Sequence, residues 1–288
     1  MGGPCRLRID CDDREQVSAA ITAAESVVER LEARYSRYRD DSLLSQINSA
    51  AGGAPVAIDQ ETAALLRYID TLWRQSDGLF DPTSGVLRRA WDFRSGRLPE
   101  QSAIDSLLPL VNWSAVDWGD EEIRLPDAGM EIDFGGCVKE YACDAVASRL
   151  RDLGLECVLI DLAGDMVALG PQADGRPWQI GIRHPREPRA LATVPLWQGA
   201  LASSGDYERC MVIDGRRYGH ILDPRTGWPV NGLCAVSVLA EQCLVAGSGA
   251  TVSMLHSEEA GLAWLSELGL PWLAVDSQLV CHGSIAQS

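Results

Sequence analysis

Three segments of the sequence join glycine to charged or titratable side chains in a way that suits phosphate binding. The first runs from Asp133 to Lys139 (DFGGCVK). Its two glycines let the backbone approach a ligand, the start of a following helix offers free N–H groups, and Lys139 adds positive charge. A plain strand-to-helix turn with a solvated lysine explains the same residues, because glycine pairs are common at turns. Taken alone, this segment favours the plain turn.

The other two segments are also open to both a functional and a structural interpretation. Residues 218–227 (YGHILDPRTG) contain His220, which can accept a proton near neutral pH, beside a stretch with the composition of a tight turn. A hairpin whose histidine caps a strand end is the alternative. Residues 78–83 (GLFDPT) combine glycine with Asp81, for which a helix cap or an Asx turn is the structural interpretation.

Apolar residues recur at helical spacing beside each of these segments. The spacing predicts a helix from Asp13 to Tyr35, and a second that begins after the cap Asp59 and stops at Gly78. A third helix begins near Lys139 and closes at glycine 154. The DFGG glycines therefore stand directly before a predicted helix start.

Strands are predicted from short apolar and β-branched runs. A first strand covers Cys5 to Asp10, Asp214-Gly215 marks a hairpin turn, and a last strand lies near Trp272 to Val275. Strands and helices alternate irregularly, with hairpins between them. The sequence therefore predicts an α+β fold of mixed or antiparallel sheets with packed helices, rather than a doubly wound parallel sheet.

The length and composition are those of an ordinary globular protein. With 288 residues, of which 46% are hydrophobic and 23% charged, the chain can bury a full core. We expect a single domain over residues 1–288, built as one compact unit or as two intimately packed lobes.

The chain is strongly acidic. Asp and Glu outnumber Lys and Arg by 41 to 25, which gives a formal net charge of -16. This charge repels phosphate backbones and anionic lipid, so nucleic acid is not an expected partner. It also repels a phosphorylated cofactor at long range, so a site for one must supply local donors, cations or a metal.

Several motifs that define large enzyme classes are absent. The sequence has no P-loop, no nucleophile elbow, no HExxH pair and no opening dinucleotide fingerprint. The kinase, α/β-hydrolase, zinc-protease and Rossmann dehydrogenase classes therefore lose their main support.

The nine cysteines are scattered, odd in number and free of any CxxC pair. They predict reduced thiols in the core of a cytoplasmic protein. No apolar run approaches the ~20 residues of a membrane-spanning helix, and the first residues lack a basic start and a hydrophobic stretch. We therefore expect no transmembrane segment and no signal peptide, with export of a form that carries a leader as the alternative.

Taken together and in order, the segments resemble the ApbE family of FAD:protein FMN transferases. The likeness runs nearly end to end. It is carried by Met1-Gly2-Gly3, YSRYRDDSLLSQIN, GLFDPTSGVLRRAWDF, IDFGGCVKEYACD, IDLAGDMVALG, SSGDYER, RRYGHILDPRTGWPV and the stretch from Ala246 to Thr251. Each motif is weak alone, but their succession is hard to produce by chance.

The resemblance implies both a fold and an activity. It implies an ApbE-like α+β fold that holds FAD between two lobes, with Mg²⁺ near the pyrophosphate. The implied reaction attaches FMN from FAD through a phosphoester to a threonine hydroxyl of a partner flavoprotein subunit, and it releases AMP. A divalent ion and a lysine suit the charge that builds on phosphoryl oxygens, and a base suits the incoming hydroxyl.

Carried over position by position, the resemblance also implies roles for individual residues. His220 matches the histidine expected to act at the reaction centre. Gly136, through its backbone carbonyl, and Thr251 match metal-binding positions. The positions implied to bind the cofactor are Met1, Tyr38, Leu79, Phe80, Asp81, Asp133 and Lys139.

The sequence departs from the family pattern at the metal site. The pattern places an aspartate one helical turn before the metal-binding threonine, where this chain has Gly247. Because Mg²⁺ prefers hard, anionic oxygen ligands, this change weakens the predicted site. The glycine that usually follows the lysine is replaced by Glu140. A second carboxylate, from Glu140, Asp161 or Asp165, is the substitute that the sequence offers.

Two hypotheses of different class follow. The chain is an active FMN transferase with weaker or relocated metal binding, or it is an FAD-binding paralogue that carries or senses flavin without transferring it. His220, Asp133, Lys139 and Thr251 favour the transferase, whereas Gly247 favours the paralogue. An unrelated acidic α+β enzyme whose turns mimic the motifs is a more remote alternative.

Overall fold

A computed structural model describes residues 3–285 of the protein. The predicted cofactor contact of Met1 therefore lies outside the described residues. Contacts within the chain divide it into two compact units. Unit 1 comprises the chain up to Glu32, Gly135–Gly205 and the chain from Gly232 onward, and unit 2 comprises Ala33–Phe134 and Asp206–Asn231.

The strands are short and are distributed over both units. In chain order they are β1 (Cys5–Ile9), β2 (Val56–Ala57), β3 (Asp117–Trp118), β4 (Glu122–Arg124), β5 (Val158–Leu162), β6 (Asp165–Ala168), β7 (Trp178–Arg183), β8 (Ala190–Leu196), β9 (Gly199–Gly205), β10 (Cys210–Ile213), β11 (Arg216–Gly219), β12 (Ala235–Ala240), β13 (Trp272–Val275) and β14 (Cys281–His282).

The helices range from two turns to six. The α-helices are α1 (Arg14–Tyr35), α2 (Leu43–Ser49), α3 (Gln60–Gln75), α4 (Gln101–Leu107), α5 (Val138–Asp152), α6 (Cys243–Leu255) and α7 (Glu258–Glu267). Short 3₁₀ helices cover Pro82–Arg89, Leu108–Leu110 and Trp113–Ala115.

Unit 1 is organised around a seven-stranded sheet. Its strands follow the order β1-β5-β6-β9-β12-β13-β14, and each neighbouring pair is antiparallel. Leu7 lies opposite Ile160, for example, and Ser204 lies opposite Val236. Helices α5 and α6 pack on this sheet and on each other, and β7 and β8 form a separate hairpin. The predicted α+β class is confirmed.

Helix α6 is buried on nearly all of its surface. Its sequence, CLVAGSGATVSML, is apolar or small at almost every position, as expected of a helix surrounded by protein. Its first turn is capped from α5, because the Asp144 carboxylate accepts hydrogen bonds from the N–H groups of Cys243 (2.8 Å) and Leu244 (2.9 Å). A negative charge at the N-terminus of α6 thus fixes this helix against α5.

Unit 2 contains the sheet β2-β4-β3 and the hairpin β10-β11. Asp214 and Gly215, with φ of 50° and 77°, form the hairpin turn as predicted. The hairpin packs through Tyr218 into a cluster of aromatic side chains. The other aromatic members of this cluster are Trp91, Phe93 and Trp228.

The stretch from Asp223 to Gly227 is the tight turn that its composition predicts. The N–H of Gly227 donates to the Asp223 carbonyl (2.8 Å), and the N–H of Arg225 donates to the Asp223 side chain (2.9 Å). The Trp91 indole donates to the Gly227 carbonyl (2.8 Å). A Cβ at Gly227 would lie 2.4 Å from Ile104 Cγ2, and its φ is +70°. This glycine is therefore required by both conformation and packing.

The elements with a clear apolar period agree with the predictions. Helix α3 begins after Asp59, whose side chain accepts a hydrogen bond from the N–H of Thr62, and Gly78 follows the helix with φ +81°. The sequence did not predict α2, which has only seven residues, or β8, which contains Pro195 and pairs with β7 alone. Two helical turns do not establish a period, and proline is typical of a strand edge.

All nine cysteines lie within residues 3–285 and are free thiols, as predicted, but their predicted core position holds only for Cys137, Cys143, Cys234 and Cys243. It is wrong for Cys5 and Cys281, which are exposed because they lie on the two edge strands of the sheet. Within that same range, no helix is both long enough and apolar enough to cross a membrane.

We predict that Gly227→Ala lowers the free energy of unfolding by about 2–5 kcal/mol. The left-handed φ adds strain of about 1–2 kcal/mol, and the overlap with Ile104 adds about 1–3 kcal/mol. Urea unfolding followed by tryptophan fluorescence measures the change, since Trp91 and Trp228 report on this cluster.

Gly215→Ala is the matched control for this variant. Gly215 also has a left-handed φ, of +77°, but a Cβ there would meet nothing within 4 Å. We expect a loss of only about 1 kcal/mol, from the backbone alone. Equal losses for the two variants would show that the packing of Gly227 against Ile104 has no energetic consequence.

Candidate functional site

In unit 2, two arginines hold the carboxylate of Asp133. Asp133 Oδ2 is paired with the guanidinium of Arg37 and lies 2.7 Å from Arg88 Nη1. Arg88 Nη2 also lies 3.1 Å from Glu131 Oε2. A Cβ at Gly85 would lie 2.7 Å from the Asp133 Cβ, so this glycine lets the 3₁₀ helix approach Asp133 closely. The predicted cofactor residue Asp133 thus organises a cluster of positive charge.

Tyr38 extends this cluster to the surface. Its side chain is 77% exposed. Arg37 Nη2 donates a hydrogen bond to the Tyr38 hydroxyl (2.7 Å), and the Arg37 guanidinium lies 4.8 Å from the centre of the ring. Partial desolvation opposes ionisation of the phenol, but this hydrogen bond and the nearby arginines outweigh it and lower the pKa of Tyr38. An exposed ring held by an arginine is suited to stacking on a planar ligand.

The segment from Leu79 to Asp81 faces inward. Leu79 and Phe80 are buried in the core of unit 2. Asp81 is the N-cap of the 3₁₀ helix, where its side chain accepts hydrogen bonds from the N–H groups of Thr83 (2.8 Å) and Trp113 (3.3 Å). Burial raises the pKa of Asp81 despite these bonds. Asp81 is therefore the helix cap that the structural interpretation of this segment expects. The contact of the segment with a cofactor stays a prediction.

His220 stands directly after β11, near Arg37 and Arg209. The residue keeps an exposed surface, but enough protein surrounds the imidazole to remove part of its hydration. This desolvation, followed by the positive charges of Arg209 and Arg37, lowers the pKa of His220 from 6.5 to about 4. A hydrogen bond to the Arg209 backbone acts in the opposite direction. The imidazole is thus neutral at pH 7 and free to accept a proton.

In unit 1, Lys139 lies in the first turn of α5, just after the glycine turn that contains Gly136. Its ammonium group is paired with Asp165 Oδ2 and lies 3.4 Å from Glu140 Oε1. Asp165 is only 1% exposed, and its other oxygen accepts a hydrogen bond from the Ser203 N–H (3.2 Å). Lys139 is therefore positioned by carboxylates at the start of a helix.

Glu140 is packed against Gly247 of α6. Glu140 is 6% exposed, and a Cβ placed on Gly247 would lie 2.4 Å from Glu140 Cγ and 3.0 Å from Cδ. The Glu140 side chain therefore fills the space that any side chain at position 247 needs. Its Oε2 atom is buried and has no hydrogen-bond partner among residues 3–285. An uncompensated carboxylate oxygen in this position is costly.

Thr251 lies one helical turn beyond Gly247, so both face the same side of α6. Its hydroxyl is 2.9 Å from the Ser204 hydroxyl of β9. No group of three or more His, Cys, Asp or Glu side chains in the described range is arranged to hold a metal. The oxygens that remain for a metal are the Thr251 hydroxyl, the Gly136 carbonyl and the Glu140 carboxylate. The Glu140 oxygen that has no hydrogen-bond partner fits a hard divalent cation.

Comparison with known proteins identifies the family of the chain. The model of the ApbE family matches residues 1–273 of the chain. The FAD:protein FMN transferase of Treponema pallidum is 30% identical over 93% of this chain and 80% of its own length. That of Vibrio cholerae is 29% identical over 88% of this chain and 78% of its own length.

The chain belongs to the ApbE family. The crystal structure of the ApbE protein of Thermotoga maritima superimposes with a TM-score of 0.85, at 28% identity, over 96% of this chain and 93% of that one. The Pseudomonas stutzeri flavinyl transferase ApbE, in its apo form, gives 0.86 at 29% identity, over 100% and 93% of the two chains. The ApbE resemblance and the transferase class predicted from the sequence are thus confirmed.

Sequence reasoning missed the residues that surround the predicted ApbE site residues. Arg37 and Arg88 hold Asp133, Arg209 lies near His220, and Ser204 contacts Thr251. Each of them lies inside a motif that carries the resemblance. Their position inside these motifs is the signal that could have pointed to them, since the three arginines are far apart in the sequence.

We predict that the His220 imidazole titrates with a midpoint near pH 4 in the ligand-free protein, well below the ordinary 6.5. Because the unfolded chain then binds more protons between these pH values, the stability contributed by neutral His220 is lost as pH falls from about 6.5 towards 4. NMR of histidine-labelled protein, with His220→Asn to assign the signal, measures the midpoint.

Arg209→Gln tests the cause of this low pKa. Loss of the positive charge should move the midpoint upward, whereas Arg225→Gln, which removes an arginine paired with Asp223, should leave it in place. A midpoint near 6.5 in the unaltered protein would show that neither desolvation nor the arginines act on His220.

Proposed function

We propose that this protein is an FAD:protein FMN transferase. It takes the FMN half of FAD and attaches it through a phosphoester bond to a threonine hydroxyl of a partner flavoprotein subunit. The bond between the threonine oxygen and the FMN phosphorus forms as the pyrophosphate bond breaks, and AMP leaves. The observation that carries the proposal is the match to transferases of this name over 93% of the chain.

The unit 2 residues supply flavin and nucleotide binding in this proposal. Tyr38 stacks on a planar ring of FAD, and Arg37 and Arg88 fix the Asp133 carboxylate that binds the cofactor. Leu79, Phe80 and Asp81 line the cofactor mainly through their backbone, because their side chains are already buried or engaged in capping. Met1 keeps its proposed role at the cofactor.

The unit 1 residues bind the charged centre of FAD. Lys139 stabilises negative charge on the phosphoryl oxygens, and the N-terminus of α5 adds the positive end of its helix dipole. Mg²⁺ would be held by the Gly136 carbonyl and the Thr251 hydroxyl. When bound, it would neutralise charge that develops on the pyrophosphate.

His220 acts as the general base. Its neutral imidazole accepts the proton of the threonine hydroxyl as that oxygen attacks phosphorus. A base with a pKa of about 4 is weak, but the pKa is depressed in part by Arg209 and Arg37. An anionic group of FAD bound beside these arginines would offset their charge and raise the pKa of His220. The substrate thus activates its own base.

A second candidate is an FAD-binding paralogue that carries or senses flavin. It is favoured by Gly247, which stands where the family pattern has a metal-binding aspartate.

The main proposal is completed by a cytoplasmic location, a single working domain over residues 1–288 and a flavoprotein partner. Export of a form carrying a leader is the alternative location.

Mass spectrometry of an acceptor domain tests the transferase. After incubation with this protein, FAD and Mg²⁺, the acceptor should gain the mass of one FMN less one water on its threonine, and AMP should appear in equal amount. His220→Asn should lower the rate by about 10²–10⁴-fold, the usual contribution of a general base, while FAD affinity changes little.

Two controls separate the outcomes. An acceptor with Thr→Ala at the modified position should gain no mass. His256→Asn, which alters a histidine whose ring centre lies 6.1 Å from that of Trp264, should transfer at the normal rate. If FAD binds tightly but no acceptor is modified, the carrier or sensor is the correct function. If FAD does not bind at all, both candidates are wrong.

A further inference from the structure

We propose that Glu140 is the carboxylate ligand of the divalent cation, in the place that the family pattern gives to an aspartate at position 247. The ligand has thus moved from α6 to α5, while the site itself is retained. This inference rests on the proposed function, because it assigns the metal that the transfer uses. It makes Glu140 and Gly247 one coupled feature of the site.

The first argument is the partnerless oxygen of Glu140. The residue is only 6% exposed, and Oε1 lies 3.4 Å from Lys139 Nζ. Oε2 is buried with no hydrogen-bond partner among the described residues. Buried carboxylate oxygens are almost always hydrogen-bonded or bound to a cation. A cation at Oε2 satisfies this atom, while Lys139 serves the other oxygen.

The second argument is steric. A Cβ on Gly247 would lie 2.4 Å from Glu140 Cγ and 3.1 Å from Glu140 Oε1. Side chains at positions 140 and 247 therefore exclude each other, and only one of the two positions can supply a carboxylate. The Glu140 carboxylate lies against the turn of α6 from which an aspartate at 247 would project, one turn from the Thr251 hydroxyl.

The third argument is that the other nearby carboxylates are already engaged. Asp165 is paired with Lys139 and accepts a hydrogen bond from Ser203 N–H. Asp161 Oδ1 accepts a hydrogen bond from Gly164 N–H (2.9 Å), and its Oδ2 lies 3.9 Å from Arg6 Nη1. Among the described residues, Asp165 Oδ2 also lacks a hydrogen-bond partner, but it is ion-paired with Lys139. Glu140 Oε2 is buried with neither a hydrogen bond nor an ion pair of its own.

The donor set suits Mg²⁺ or Mn²⁺. Mg²⁺ is commonly held by one or two carboxylates together with substrate phosphates and water, rather than by a complete cage of protein ligands. One carboxylate from Glu140, the hydroxyl of Thr251 and the carbonyl of Gly136 are sufficient on this basis. Two carboxylates would be sterically excluded here in any case.

The test measures metal binding directly. Mn²⁺ is titrated into the full chain in the presence of FAD, and free aqueous Mn²⁺ is followed by electron paramagnetic resonance, with Mg²⁺ added as competitor. Glu140→Gln keeps the shape of the side chain and removes its charge. We expect it to weaken Mn²⁺ binding by at least about tenfold, since loss of an outer partner alone costs about 10- to 100-fold.

Asp161→Asn is the matched control. It removes one carboxylate charge from the same unit, and Mn²⁺ affinity should stay unchanged. Thermal unfolding in chelator reports separately on the fold. In chelator, the Glu140→Gln variant should be at least as stable as the unaltered protein, because it removes a buried charge whose Oε2 atom has no hydrogen-bond partner among the described residues. A merely structural role for Glu140 predicts the opposite pattern, with lower stability in chelator and unchanged Mn²⁺ affinity.

The reciprocal exchange is the sharper test. Gly247→Asp alone should bind Mn²⁺ more weakly than the unaltered protein, since the new side chain collides with Glu140. The double variant Glu140→Gly with Gly247→Asp should restore the affinity to within a few-fold. Recovery in the double variant supports the exchange of ligand positions.

The outcomes distinguish this inference from the proposed function. If Glu140→Gln binds Mn²⁺ normally while acceptor flavinylation remains metal-dependent, the transferase stands and Glu140 is not its ligand. If Mn²⁺ binding depends on Glu140 but no acceptor is modified, the ligand assignment stands and the transferase fails. If the unaltered protein binds no Mn²⁺ with FAD present, the inference is overturned.

Discussion

Local compensation of charge is the constraint on which the candidate site depends. The chain has a net charge of -16, and the residues that match the ApbE pattern include carboxylates, which by themselves repel an anionic cofactor. Asp133 is held by Arg37 and Arg88, and Asp165 is paired with Lys139. These pairs cancel the carboxylate charges and fix the cations in place, because a buried ion is tolerated only when it is paired. The positive groups can then meet phosphate despite the acidic surface.

The fold was predictable to the extent that its elements carry a period or a cap. Helix α3 was readable because Asp59 caps it and its apolar residues share one face. Helix α2 was not predicted because its seven residues give too little periodicity. Without a period after it, its N-cap, Ser42, could not be told from any other serine. The grouping of the strands into separate sheets could not be predicted from the sequence, because strand pairing depends on contacts between residues that are distant in sequence.

The sequence supports proposals for individual site residues but not for their arrangement. Glycine and charge at element ends pointed to Asp133, Lys139 and His220, and each of these also has a structural explanation. Asp81 shows that both apply at once, because it caps a 3₁₀ helix inside a motif of the family. The sequence did not show where these side chains lie relative to their neighbours in space. Nothing in the sequence shows that Arg209 lies close enough to His220 to lower its pKa, or that Glu140 lies against Gly247.

The relation between Glu140 and Gly247 changes how the departures from the family pattern are weighed. Taken singly, Gly247 is a lost ligand and favours an inactive paralogue. Taken with the structure, a side chain at 247 and the Glu140 side chain compete for the same space, so the two departures are one change. A site without function gains nothing from a buried carboxylate whose oxygen lacks a partner, because an apolar residue of similar size costs less. A cation bound to Oε2 accounts for the presence of that charge against Gly247, one turn of α6 from Thr251.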